Sequence, residues 1–247
     1  MKTNPDSSIL LLKRFFLHAA AKIYEPSLER AQKEGWSHEL FLSHLLESEA
    51  QDRQQRRIEH LLKKSELIEG KTFDSLQKGS LPVKIQRQIP ALIQGEFVKR
   101  AENVIAFGLP GRGKTHFLCA LARELVLQKQ VQVLFQPTYK LLSRLLRAHH
   151  ENRFDLELKK LDSFDLIILD DIGYVQQSQG EMEVLFNFMA HRYERKSLLI
   201  SSNLAFKDWD KIFKDKMTTM AAIDRIIHRA TILHFDGPKS HRMTPQE

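Results

Sequence analysis

Cysteine and long apolar stretches are scarce in this chain of 247 residues. Cys119 is the single cysteine, so no disulfide can form within the chain, and a reducing, cytoplasmic location is predicted. No apolar stretch approaches the roughly 20 residues that a membrane span needs. The apolar run Ile9–Leu12 is interrupted by Lys13 and Arg14, which makes it a poor signal peptide. We therefore expect no membrane contact.

Positive charge exceeds negative charge in the composition. The chain has 38 Lys and Arg residues against 31 Asp and Glu residues, a net charge of +7. This balance favours a polyanionic partner such as nucleic acid, although a merely basic soluble protein would have the same balance. The length suits one large domain, or one core with a small appendage.

Residues Gly108–Thr115 fit the pattern G-x-x-x-x-G-K-[ST] at every fixed position. The apolar run Val104–Phe107 before them predicts a buried strand, and the periodic apolar residues 117–127 after them predict a helix. In that context the glycines let backbone N–H groups point at phosphate oxygens, and the helix start adds its positive pole. We expect Lys114 to contact the β- and γ-phosphates of ATP and Thr115 to ligate Mg²⁺.

Two acidic residues follow a second buried strand. Four consecutive aliphatic residues, Leu166–Leu169, predict a strand covered on both faces, as in a parallel sheet, and Asp170 and Asp171 come directly after it. Asp170 is predicted to hold Mg²⁺ and Asp171 to orient the attacking water, although acids at a strand end can also simply begin a loop. Asn203 ends a further predicted strand, 197–203, and could hydrogen-bond the γ-phosphate or that water.

Strands and helices alternate from residue 96 onward. Further strands are predicted at 131–135 and 231–235, which gives an α/β fold with a five-stranded parallel sheet. Pro137 and Thr138 are predicted to open a helix whose Tyr139, Leu142 and Leu145 face the core. The pattern Ser178-x-x-Glu181 predicts a capping box at the start of another helix.

Residues 9–64 are predicted to be helical and to precede this core. Pro26 is expected to end one helix, Gly35 to stop the next, and Ser37 to cap a long third helix. Residues 65–95 carry glycine and proline at intervals, and Phe73 and Leu76 are expected to dock on the core. The predicted organisation is therefore a helical domain over 1–66, a linker over 67–95 and a core over 96–247.

Arg53, Arg56 and Arg57 recur at helical spacing near the end of that third helix. One interpretation is a stripe that contacts DNA phosphates. The other is a solvated helix face with i,i+4 ion pairs such as Asp52–Arg56. The sequence does not decide between them.

Taken together, these motifs resemble the IstB-like ATPases, which are AAA+ helper proteins of insertion-sequence transposition related to DnaC helicase loaders. Nearly the whole chain takes part in the resemblance. The segments that carry it are Lys33–Gly35, Gly108–His116, Leu166–Tyr174, Arg192–Arg195, Ser201–Leu204, Trp209 and Asp224–Arg225.

The resemblance implies an AAA+ P-loop ATPase core preceded by a small all-helical domain. It implies an ATP- and Mg²⁺-dependent ATPase that forms homo-oligomers on duplex DNA, selects the target and stimulates a cognate transposase. Asn203 would be the sensor, with Arg242 as a candidate second sensor. Arg225 would be the arginine finger that reaches a neighbouring subunit, with Arg229 as the fallback candidate. The implied nucleotide contacts are Gly108, Leu109, Pro110, Gly111, Arg112, Gly113, Lys114, Thr115 and His116.

Two residues depart from the family pattern, and other functions stay open. Arg112 stands where a small Thr is usual, and Asp171 stands where Glu is frequent, so the hydrolysis rate is left open.

The alternative functions are a DnaC-like helicase loader, a small-molecule P-loop phosphotransferase, and an adaptor that uses ATP for assembly without hydrolysing it. P-loop folds host all of these functions.

Overall fold

The computed structural model describes residues 5–76, 81–173, 178–204 and 226–235. The chain divides into two compact units, Met1–His60 and Leu61–Glu247. The division of roles over 1–66, 67–95 and 96–247 stays a prediction. No helix in the described ranges is both long enough and apolar enough to cross a bilayer.

The first unit contains α1 (Pro5–Arg14), α2 (His18–Glu34) and most of α3 (His38–Lys64). The prediction that Pro26 ends a helix is wrong, because α2 continues through it. Lys22, whose carbonyl loses its intrahelical donor at Pro26, is exposed, so water can replace that bond. The chain breaks earlier instead, at Phe16, whose φ is +58°.

The ends of α2 and α3 follow the sequence signals. Gly35 adopts the left-handed conformation with φ +68° and stops α2. The Ser37 hydroxyl accepts a hydrogen bond of 3.1 Å from the Leu40 N–H and so caps α3. Both predictions are confirmed. Each of them depends on local backbone chemistry alone.

The second unit is built on a five-stranded parallel sheet, as predicted. Its order is β2-β3-β4-β1-β5, and every paired register is parallel. The edge strand β2 begins at Val133 rather than at Val131, and Val133 pairs with Leu166. The strands are β1 (Asn103–Phe107), β2 (Val133–Pro137), β3 (Leu166–Asp170), β4 (Ser197–Ser202) and β5 (Ala230–His234).

Helices cover both faces of this sheet. One apolar cluster contains Phe117 and Leu121 of α6, and the other contains Leu145 of α7 and Leu185 of α9. Helix α4 lies inside the predicted linker, and neither α4 nor α8 was predicted from the sequence. The helices of this unit are α4 (Val83–Ile93), α5 (Glu96–Lys99), α6 (Lys114–Lys129), α7 (Thr138–His150), α8 (Phe154–Leu161) and α9 (Gln179–Arg192).

Tyr139 does not face the core, so that prediction is wrong. Its side chain is 58% exposed. The buried side of α7 carries Leu141, Leu142, Leu145 and Ala148, whose spacing defines one helical face. Tyr139 lies outside that face and is left on the surface of the second unit.

A buried arginine joins the starts of two central strands. Arg192 ends α9 and is 1% exposed. Its guanidinium donates to the carbonyl oxygens of Leu161 at 3.2 Å, Phe164 at 3.1 Å and Ser197 at 3.1 Å. Burial lowers the pKa of Arg192 to about 10, which leaves it charged at neutral pH. The contacts indicate that Arg192 stabilises the fold.

Candidate nucleotide site

The loop between β1 and α6 has a backbone that requires glycine. Gly111 and Gly113 have φ values of +79° and +84°. Gly108 has φ +149°, and a Cβ there would lie 2.7 Å from the carbonyl oxygen of Phe235. The three glycines therefore allow a tight turn that passes closely over the end of β5 and delivers the chain to the start of α6.

Lys114 places a buried cation in this loop. The residue is 5% exposed. Its Nζ donates to the carbonyl oxygens of Gly108 at 2.6 Å and Leu109 at 3.0 Å. The ammonium group thus lies against the loop that it belongs to, beside the first residues of α6, where the helix dipole also favours an anion.

Asp170 is held by hydroxyl groups from three other elements. Thr115 Oγ1 donates to Asp170 Oδ1 at 2.7 Å, and Ser201 Oγ donates to the same oxygen at 2.6 Å. Thr138 Oγ1, at the start of α7, donates to the Asp170 carbonyl oxygen at 2.8 Å. The structure therefore brings together Thr115 and Asp170, the two residues predicted to hold Mg²⁺, with oxygen ligands of the kind that this ion prefers.

Asp171 has an unusual backbone conformation. Its φ is +56°, in the left-handed region that non-glycine residues rarely adopt. Its N–H donates to Ser201 Oγ at 2.8 Å, and the next N–H, of Ile172, donates to the Ser201 carbonyl oxygen at 3.0 Å. One serine of β4 therefore fixes both acids at the end of β3. Strained backbone of this kind is frequent at functional sites.

Asn203 follows β4 and carries an unsatisfied polar atom. Its Oδ1 is buried and has no hydrogen-bond partner among the residues that the structure describes. A Cβ on Gly173 would lie only 2.6 Å from this oxygen, so Gly173 makes room for the amide. A buried acceptor without a donor is costly, which suits a site where a ligand or water supplies the donor.

His116 connects the loop to the segment before the core. Its Nε2 lies 2.9 Å from the carbonyl oxygen of Thr72 and 3.0 Å from Ser75 Oγ. Phe73 packs edge-to-face on Phe117, with ring centroids 5.7 Å apart. The expected docking of Phe73 and Leu76 on the core is confirmed, and residues 72–76 lie beside the start of α6.

The remaining predicted residues lie elsewhere. Arg53 pairs with Glu49 at 2.9 Å and donates to the Phe16 carbonyl oxygen at 3.2 Å, and Arg56 pairs with Asp52 at 2.5 Å. These residues belong to the first unit, whereas the nucleotide loop belongs to the second. Arg57 is exposed and forms no ion pair within the described ranges. The Asp52–Arg56 pair of the solvated-face interpretation is present.

Burial of Glu49 would raise its pKa, but hydrogen bonds from Arg53 and from the N–H groups of Ala19 and Ala20 outweigh this effect and lower the pKa.

Arg225 and Arg242 lie outside the described residues, as does Trp209. Arg229 lies 3.7 Å from Glu194.

Sequence reasoning missed the roles of Ser201 and Thr138. Their side chains bond to Asp170 only because β4 and α7 lie next to the end of β3. The parallel register pairs Leu169 with Ile200, so the next positions along the two strands are Asp170 and Ser201. A predicted strand order would have supplied that signal, whereas the residue pattern alone does not.

A glycine-rich phosphate loop on a five-stranded parallel sheet, with acids at the end of β3, defines an AAA+ P-loop ATP-binding protein. The chain belongs to the family of IstB-like ATP binding proteins, whose sequence profile matches residues 10–246. It is 35% identical to an insertion sequence ATP-binding protein of Sinorhizobium fredii, over 96% of this chain and 80% of the relative. It is also 35% identical to the IS21 ATP-binding protein of Pseudomonas aeruginosa, over 95% and 88%.

Solved structures support the same fold. The DnaC helicase loader matches 61% of this chain and 88% of its own, with a TM-score of 0.52 and 19% identity. DnaA from Aquifex aeolicus matches 72% and 54%, with a TM-score of 0.58 and 15% identity. At these identities the similarity establishes the fold and not the partner. It confirms the predicted AAA+ architecture.

If this site hydrolyses ATP with Mg²⁺, Ser201→Ala should slow the turnover about tenfold, because the hydroxyl positions Asp170. The matched control is Ser202→Ala. Ser202 is equally buried on the same strand, but its hydroxyl bonds to the Leu204 carbonyl oxygen instead. Each variant should lose about 1–3 kcal/mol of stability in urea titrations. Equal turnover in the two variants would show that the Ser201 hydroxyl does not position Asp170 for catalysis.

Proposed function

We propose that this protein is an ATP-dependent, DNA-binding helper of a transposase, and that it hydrolyses ATP with Mg²⁺ at the candidate nucleotide site. The observation that carries the proposal is the convergence of Lys114, Thr115 and Asp170 around the glycine loop. Membership of the IstB-like family and the insertion-sequence names of relatives at 35% identity support the transposition role.

The residues present fit ATP and Mg²⁺. The loop has positive φ at Gly111 and Gly113 and a buried cation at Lys114, which suits phosphate binding. Thr115 and Asp170 offer hard oxygen ligands for the ion. When bound, Mg²⁺-ATP supplies the phosphoryl group that is transferred to water.

The residues of the chain would then have different roles in hydrolysis. Lys114 and the loop N–H groups hold the phosphates, and Asp171 accepts a proton from the attacking water. Asn203 Oδ1 can accept from the O–H of that water, and the Nδ2–H groups of the same amide can donate to a phosphate oxygen. In this arrangement Ser201 positions both acids and does not touch the substrate itself.

Asp171→Asn is expected to leave ATP affinity within about twofold and to slow hydrolysis about a hundredfold, because it removes a base and no phosphate contact. Calorimetry would measure the affinity, and phosphate release would measure the rate. Asp155→Asn, a change at an exposed position of α8, serves as the control. Unaltered turnover would exclude Asp171 as the base, and a parent protein that never releases phosphate would favour the non-hydrolysing adaptor.

Arg225 is proposed as the residue that completes a neighbouring subunit's site. The support comes from the family resemblance at Asp224–Arg225. Arg229, a further candidate, lies 3.7 Å from Glu194. An arginine supplied in trans neutralises charge that develops on the γ-phosphoryl oxygens.

DNA binding through Arg53, Arg56 and Arg57 stays part of the proposal. The net charge of +7 supports a polyanionic partner. Arg57 is the member of the stripe that has no acidic partner in the described part of the chain, so Arg57→Glu should weaken DNA binding more than Arg56→Glu does. Filter binding of a labelled duplex at several salt concentrations would compare the two variants.

A helicase loader is the alternative within the same fold. Relatives at 35% identity carry insertion-sequence names, whereas DnaC resembles this chain at 19% identity and supports the fold alone. Binding of the purified protein to a transposase and to a replicative helicase, measured side by side, separates the two functions. Exclusive binding to the helicase would overturn the transposase assignment.

A further inference from the structure

A groove of about 410 Å³ lies between α7 and α8, on the surface of the second unit. Five cationic side chains and two carboxylates line it, so the groove is net positive. Neither the proposed ATP chemistry nor the arginine stripe of α3 uses these residues. The groove is therefore a positively charged surface that has no role in the proposed function.

Some of the charged side chains that line the groove form ion pairs with each other. Glu157 pairs with Arg144 and also lies 3.4 Å from Lys160, while Glu151 pairs with Arg153. Lys140 and Arg147 are exposed, and neither has a carboxylate within ion-pair distance in the described part of the chain. Two cations on one face of α7 are thus available to an incoming anion.

Two large apolar side chains accompany these cations. Tyr139 is 58% exposed and Leu156 is 56% exposed, and both line the groove. Aromatic and arginine side chains are enriched at the centres of protein–protein interfaces, where they contribute most of the binding energy. The sequence predicted that Tyr139 would face the core. Its observed exposure is what a contact surface requires.

The lining favours a peptide over duplex DNA. Tyr139 and Leu156 offer apolar contacts that a phosphate backbone cannot use, since a surface that binds phosphates relies on cations. A groove of this volume accommodates a few side chains and offers both apolar and charged contacts, as peptide and ligand sites do. A peptide can supply carboxylates and an apolar anchor together.

We propose that the α7–α8 groove binds an acidic peptide segment of a partner protein. Its carboxylates pair with Lys140 and Arg147, and an apolar side chain of the segment packs against Tyr139 and Leu156. The proposal goes beyond the proposed function, because it does not depend on ATP binding or hydrolysis.

Fluorescence anisotropy of the full chain would test this proposal. The probe is a labelled dodecapeptide with leucine at every third position and glutamate elsewhere, compared with an all-glutamate dodecapeptide. Arg147→Glu should weaken binding of the leucine-containing probe about tenfold. Lys159→Glu is the matched control, since Lys159 is exposed on α8 but does not line the groove, and it should stay within about twofold of the parent.

Tyr139→Ala should also weaken the leucine-containing probe about tenfold, and the all-glutamate peptide should bind the parent about tenfold more weakly than that probe. The proposal is overturned if the parent does not bind the probe, if Arg147→Glu and Lys159→Glu behave alike, or if both peptides bind equally. It is also overturned if a short duplex displaces the probe and itself requires Arg147. ATP affinity, measured on the same samples, reports separately on the proposed function.

Discussion

Lys114→Ala is expected to bind ATP at least about a hundredfold more weakly than the parent, a loss of roughly 2.7 kcal/mol. The side chain is 5% exposed, and its Nζ lies within 3.0 Å of two loop carbonyl oxygens, Gly108 and Leu109. Alanine removes the buried cation of the loop, and the remaining N–H groups cannot replace a charge-assisted contact to phosphate. Isothermal titration calorimetry with Mg²⁺-ATP would measure the loss.

The control for this prediction lies on the same helix. Lys129 is in the last turn of α6, is exposed, and bonds to Gln94 at 3.3 Å. Lys129→Ala should keep the parent's affinity for ATP. Circular dichroism would show that both variants are folded. Parent-like affinity in a folded Lys114→Ala variant would contradict the assignment of the phosphate site.

Arg192→Ala is expected to lower the free energy of unfolding by at least about 3 kcal/mol. The truncation removes the guanidinium donors from the buried carbonyl oxygens of Leu161, Phe164 and Ser197. The Leu161 oxygen keeps the Phe164 N–H at 3.1 Å, whereas each acceptor left unsatisfied costs about 1–3 kcal/mol. The loss should appear as a lower midpoint in urea titrations, with little change in the slope.

Arg195 provides a matched comparison for Arg192. It lies three residues further along the chain, after the end of α9, and pairs with Asp162 at 3.1 Å, but its side chain is 56% exposed. Arg195→Ala should therefore cost less than about 1 kcal/mol, as exposed ion pairs do. If the two variants lose similar stability, the buried contacts of Arg192 do not stabilise the junction of β3 and β4.

The sequence predicted the features that depend on neighbouring residues. The glycine loop, the aliphatic strand before Asp170, and the capping box at Ser178 are all local patterns. Ser178 Oγ accepts from the Glu181 N–H at 3.3 Å, and Glu181 Oε2 accepts from the Ser178 N–H at 2.8 Å. The position of Asp170 beside Thr115 follows from fixed features as well, because parallel strands end at one edge of the sheet.

Features that depend on distant packing were not predictable in this way. Tyr139 fits an inward pattern in sequence, but the buried face of α7 is set by its packing against α8 and α9, and Tyr139 lies outside it. Pro26 is a helix breaker by local rules, yet α2 continues through it, at a position where Lys22, the residue that loses a hydrogen-bond donor, is exposed. The contact of Ser201 with Asp170 depends on β4 lying next to β3, which no local pattern specifies.

Sedimentation velocity of a fluorescent duplex tests most directly the proposal that ATP drives assembly of this protein on duplex DNA. With the parent, Mg²⁺ and ATP, the duplex should move in a particle containing several protein subunits. Without ATP, or with Lys114→Ala or Arg225→Ala, the large particle should be lost or reduced. A particle of the same size with and without ATP would contradict the account.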